Sequence, residues 1–147
     1  METVNTIKTI IRDAINDKHK TSKRYEIIAK RLLEKGEKQK ARRFQEMSEE
    51  EGGHLNRLNV IHENLGRFRV DPCSFKDGEK VSTCDLNILF KEVVEDEIKN
   101  YGIFINLSSI ISAQRPPKYK SMYRSVIAIA HDAKNHKEYI QGMDNLP

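Results

Sequence analysis

Apolar residues at Ile7, Ile10, Ile11, Ala14, Ile15, Tyr25, Ile28, Ala29 and Leu32 recur at steps of three and four. That spacing gathers them on one side of a helix, so the first quarter of the chain reads as an amphipathic helix from about residue 4 to 35. Gly36 ends it, because glycine readily takes the positive φ of a helix C-terminus. A second run with the same period, Ala41, Phe44, Met47, His54, Leu55, Leu58, Ile61 and Leu65, stops at Gly66. So short a turn between the two predicts an antiparallel pair.

Residues 67 to 84 have no helical period and contain Asp71-Pro72, Lys76-Asp77-Gly78 and Ser82-Thr83, all turn or capping chemistry. A third helix is expected from roughly residue 85 to 112. At 1.5 Å per residue it is ~40 Å long, and an extended link of about twenty residues can span that distance. The connection is therefore expected to cross the bundle end to end and leave the second and third helices parallel. Pro116-Pro117 separates the third helix from a fourth, with Pro117 in the first turn, that runs to about residue 141 before Gly142. With 37% hydrophobic and 33% charged residues, no Trp and few Gly or Pro, a many-stranded sheet is disfavoured. The 147 residues are enough for one domain with a real core. The expected fold is all-α, a four-helix bundle with a long crossover between helices 2 and 3.

Charge is unevenly placed along the chain. Between Asp17 and Arg43 there are eleven Lys or Arg against four acids, although the whole chain carries only +4. On exposed helix faces such a stripe serves solubility, and no interleaved aromatics or reading motif point to nucleic acid. The N-terminus lacks a basic start followed by a long apolar run, so a cytoplasmic protein is expected. The stretch from Tyr101 to Gln114 is too short and too polar for a membrane span of roughly 20 residues and reads as a buried helix. Cys73 and Cys84 have neither CxxC nor zinc-finger spacing and read as free thiols. No nucleophile triad, phosphate-binding glycine loop or dinucleotide fingerprint is present.

Within the second helix, Glu51-Gly52-Gly53-His54 places a carboxylate and an imidazole one turn apart on one face, the geometry of a pair of metal ligands. Gly52 and Gly53 cost roughly 1 kcal/mol each in a helix interior and mark either a kink or the close approach of a neighbour. The halves of the chain also echo each other. Phe44, Met47, Glu50, His54 and Leu58 map at a constant offset onto Val126, Ile129, Asp132, His136 and Ile140, and Lys23-Arg24-Tyr25 has a counterpart in Lys99-Asn100-Tyr101. With Tyr25, Ala29, Gly36, Ala41 and Phe44 ahead of the ExxH, nearly the whole chain resembles a ferritin-like bundle of the rubrerythrin type.

That resemblance implies two helix pairs, each giving one Glu and one ExxH to a dinuclear iron or manganese site, and metal-dependent redox chemistry on peroxide or ferrous iron. The first-helix Glu of the family sits seven residues before the helical Tyr. Here those positions hold Lys18 and Val94, and the fourth helix has Ala133 in place of its Glu while keeping His136. Glu51 and His54 match in full, and Glu97 matches an additional glutamate of rubrerythrins. The candidate metal residues are therefore Glu51, His54, Glu97 and His136, with His19, Glu95 and Asp132 as nearby substitutes. His19 and Glu95 are each one residue, and so about 100°, away from the family position.

The Lys18 ammonium repels a dication and can itself neutralise Glu51 or Glu97. Occupancy is thus open between no metal, one divalent ion such as iron, and two. Two functions are carried forward. One is an eroded di-iron carboxylate protein with reduced metal binding and redox activity, which lacks paired CxxC motifs and so needs a separate electron donor. The other is a metal-free bundle that serves as a structural or protein-interaction module, with anion or nucleic-acid binding through residues 17 to 43 a weaker third. A homodimer is the expected assembly.

Overall fold

The computed structural model describes residues 2–66, 85–114 and 117–143. Four helices make up the described chain, α1 (Glu2–Glu34), α2 (Lys38–Gly66), α3 (Leu86–Ser112) and α4 (Lys118–Gln141). No strand occurs among the described residues. None of these helices is long and apolar enough to cross a membrane. The α1–α2 turn is closed by Gly36 at φ 84°, with Gly36 N–H donating to Leu33 O at 3.0 Å and Glu37 N–H to Leu32 O at 2.9 Å. This paired closure satisfies carbonyls that the helix end would otherwise orphan. Asp85 caps α3 by accepting from Asn87 N–H at 2.7 Å.

Side-chain pairs fix the helix directions. Ser22 on α1 meets Ser48 on α2 across the short turn, so this pair is antiparallel. Arg24 pairs with Glu92 and Asp17 with Lys99, which makes α1 and α3 antiparallel as well. Hence α2 and α3 run parallel, as the length of the connection predicts. Leu65 packs at the Ile7 end of the bundle and Leu86 at the Leu32 end, so residues 67–84 join opposite ends. Those residues, including Cys73 and Cys84, lie outside the described set.

Polar residues enter the apolar stripe of every helix at one shared level. In α1 the buried positions Ile11, Ala14, Ile15, Lys18, Thr21, Tyr25 and Ile28 form one continuous face. Glu51 and His54 stand in the buried face of α2, Glu97 and Asn100 in that of α3, and His136 in that of α4. The core is consequently two apolar clusters separated by a polar layer. One gathers Ile7, Ile11, Leu58, Phe104, Ile111 and Ile129, and the other Tyr25, Leu32, Phe44, Leu89, Phe90 and Ile140.

Candidate functional site

Lys18 is fully buried, with its Nζ 2.8 Å from Glu51 Oε2 and 3.8 Å from Glu97 Oε1. The closer contact is a buried, charge-assisted ion pair. The opposite face of the carboxylate pair meets His136, whose Nδ1 lies 2.7 Å from Glu97 Oε2 and 3.2 Å from Glu51 Oε1. Tyr25 OH donates to the same Glu97 oxygen at 2.9 Å. Asn100 adds a longer bond to Glu97 Oε1 at 3.5 Å. Two carboxylates from different helices are thus clamped between an ammonium and an imidazole in a layer closed to water.

Their acidities diverge as their surroundings dictate. Burial raises the Glu51 carboxyl, but the Lys18 charge and the hydrogen bond from His136 outweigh it and hold Glu51 well below the usual carboxylate range. Glu97 moves the other way, raised by burial and then by the Glu51 charge against the opposing pull of Lys18 and His136. Burial lowers His136, yet hydrogen bonds and charge from Glu51 and Glu97 push it up to about 9, so at neutral pH it is an imidazolium. Lys18 is raised as well, because the carboxylates overcome its desolvation. With both carboxylates ionised, two cations face two anions and the layer is neutral without any external ion.

The two histidines are held from behind in a reciprocal pattern. His54 Nε2 lies 2.8 Å from Asp132 Oδ2, and His136 Nε2 lies 3.4 Å from Glu50 Oε1, itself bonded to Arg43 at 3.0 Å. Glu50 and His54 on α2 thus cross-pair with Asp132 and His136 on α4, the same residues that the internal offset relates. The imidazoles stack at 6.5 Å with 24° between planes. Both Nδ1 atoms face inward, His54 Nδ1 standing 3.6 Å from Glu51 Oε2 without a hydrogen bond. Carboxylates at the rim therefore orient the rings toward the carboxylates of the interior.

Glu51, Glu97 and His136 offer ligand atoms within 4.8 Å of one another and can hold one metal ion, and the orphaned His54 Nδ1 lies beside them. Four of the six residues singled out from sequence, Glu51, His54, Glu97 and His136, meet in the interior. The other two do not. Glu95 is exposed and lines a surface cleft with Phe90, Val94 and Ile140, and His19 is half-buried and lowered by burial and by Lys23. One residue of helical phase, about 100°, turns each away from the layer. Asp132 supports His54 from the rim instead of joining the inner group. His131, five residues and so about 140° of helical phase from His136, is exposed. A Cβ added at Gly52 or Gly53 would meet nothing within 4 Å, so close approach of a neighbour does not account for the pair.

Tyr25 falls on the apolar face in the sequence, but its bond to Glu97, and the contacts of Glu50 with His136 and of Asn100 with Glu97, have no signature in spacing. One signal was available. No apolar residue falls between Ile15 and Tyr25, although the helix needs buried positions there, and extending the stripe lands on Lys18 and Thr21. Comparisons with family models, with curated proteins and with solved structures give no match to this chain.

Proposed function

We propose that this chain is a ferritin-like bundle of the rubrerythrin type in which the Lys18 ammonium does the electrostatic work of a metal, and that it acts as a metal-independent structural or protein-interaction module. The observation that carries this is the fully buried Lys18 Nζ between Glu51 and Glu97. A dication sharing the Glu51 carboxylate would sit about 5 Å from that ammonium and meet roughly 7 kcal/mol of repulsion at an effective dielectric of 20. The protein would have to deprotonate Lys18 or expel it from the core. His136 would also have to give up the proton that its two carboxylates hold.

A second reading is a single divalent ion on Glu51, Glu97 and His136, favoured by their convergence and by the inward Nδ1 atoms. Such an ion would supply Lewis acidity or one-electron redox chemistry. Around it, Tyr25 would hold Glu97, and Glu50 and Asp132 would keep the imidazoles aimed inward.

Metal analysis of protein purified without chelator, followed by calorimetric titration with Mn²⁺ and anaerobic Fe²⁺, separates the two. Less than stoichiometric metal and no saturable heat are expected. One tightly held ion per chain would establish the second reading. Two ions per chain with peroxide turnover would overturn the proposal.

A further inference from the structure

Lys18, Glu51 and Glu97 form a triad in which an amine nitrogen meets two carboxylates, at 2.8 and 3.8 Å. All three residues are fully buried. With a C–O bond of about 1.2 Å, the carboxyl carbon of Glu51 is no more than about 4 Å from that nitrogen, near the roughly 3–3.5 Å of an attacking arrangement. Lys18 Nζ also faces the Phe104 ring, 5.4 Å from its centroid, so the surroundings of the pair are apolar. The other oxygen of Glu51, Oε1, lies 3.2 Å from His136 Nδ1. A nucleophile, its acceptor carbon, a second carboxylate able to carry a proton and a donor at the acceptor oxygen are thus gathered where water is excluded.

We infer that Lys18 and Glu51 condense within the folded chain to an amide that joins α1 to α2. The two begin as an ion pair, and one proton passes from Nζ to Oε2 before the nitrogen is nucleophilic. The amine then adds to the Glu51 carboxyl carbon, and the charge that develops on Oε1 falls beside the His136 imidazolium. Glu97 takes a second proton from Nζ and returns it to Oε2, which leaves as water. A C–N bond forms, the bond from carbon to Oε2 breaks, the amide keeps the third proton, and no oxidant or reductant is needed. Condensation replaces two desolvated charges by a neutral group, and a layer closed to solvent supplies little water to reverse it. One positive and one negative charge disappear together, so Glu97 and His136 are left to balance each other. The inference rests on the metal-free reading of the layer, since an ion on Glu51 would occupy its carboxylate and displace Lys18.

Intact-mass spectrometry of the unmodified chain, folded and incubated at neutral pH and then denatured, tests this. Most chains are expected to weigh about 18 Da less than the sequence, the mass of one water. Tryptic digestion should then give a branched peptide joining residues 13–20 to residues 44–57. Lys18→Met should keep its full mass. Glu97→Gln, which preserves shape but cannot carry the proton, should lose water about tenfold or more slowly than the parent. Equal rates in that variant and the parent would overturn the role given to Glu97. A folded parent that keeps the full sequence mass would overturn the inference, and metal analysis of the same sample tells whether the metal-free reading falls with it. Water loss traced only to a linear peptide, such as one cyclised at Asp77-Gly78, would overturn it as well.

Discussion

Replacing Lys18 with Met keeps most of the side chain's volume and removes its charge, which isolates the electrostatic role of the residue. Glu51 and Glu97 would then share a fully buried layer with His136 as the remaining inner cation, and the strong downward pull on Glu51 would be lost. Removing one member of a buried ion pair costs about 3–5 kcal/mol, because the other charge remains desolvated and uncompensated. For a domain of this size that lowers the melting temperature by about 10–15 °C. Urea unfolding at neutral pH, followed by circular dichroism, measures the loss. Two further results tie it to charge and not to packing. The deficit should shrink as the pH falls, because a protonated Glu51 needs no counter-charge. A divalent cation should also restore stability to Lys18→Met while leaving the unmodified chain unchanged, since the ion takes the place of the ammonium. Stability within about 0.5 kcal/mol of the parent would refute the reasoning, because that is the scale of changes at ordinary surface positions.

Other perturbations report on the same layer and on α2. The imidazole of His136 is raised from 6.5 to about 9, so its contribution of about 3 kcal/mol is complete below pH ~6.5 and disappears as the pH rises through 9. His136→Asn should flatten that alkaline limb in a series of melts, and an unchanged limb would place its origin elsewhere. Glu51 is depressed, so its contribution is present above its ordinary value near 4.5 and is lost only in stronger acid; Glu51→Gln should remove this acid limb from the same series. Gly52→Ala and Gly53→Ala should each stabilise the chain by about 0.5–1 kcal/mol in urea, since a Cβ meets no neighbour at either site and glycine is a poor helix former; destabilisation would reveal a conformational need for them. Lys18→Glu combined with Ala133→Glu should bind a divalent ion measurable by calorimetry, and a folded double variant that binds none would show that these positions do not lie in the ligand frame.

The helices and their order are legible because period, stop signals and link length agree. Ile7 to Leu32 sets the face of α1, Gly36 closes it, and the length of residues 67–84 leaves α2 and α3 parallel. The inner residues were legible through spacing, since Glu51 and His54 share a face and His136 repeats His54 at a fixed offset. What spacing could not convey was the role of charge at a stripe position. Lysine is rarely fully buried, so periodicity alone shows a gap in the apolar face at Lys18, and its pairing with Glu51 and Glu97 is legible only from the family position it occupies. The same bias favours Glu95 as an alternative ligand, because a carboxylate near an expected position looks equivalent until helical phase turns it outward. Rim partners such as Glu50 and Asp132 escaped because their value depends on the ring of the opposite helix, which tertiary packing alone supplies.

The substitutions that set this chain apart from the family it resembles share an electrostatic logic. Where the resemblance places three glutamates, the chain carries Lys18, Val94 and Ala133. Exchanging a carboxylate for an ammonium adds two positive charges to the frame, and exchanging two more for apolar side chains adds one each. Together they supply four charges, the number that two divalent ions would bring. The inner group of Lys18, Glu51 and Glu97 then keeps the formal charge that five carboxylates and two dications would have had, and the proton on His136 neutralises it. On the proposed reading, loss of a metal and gain of the lysine would be coupled steps, and a fold that had made both would need no ion to hold its centre together.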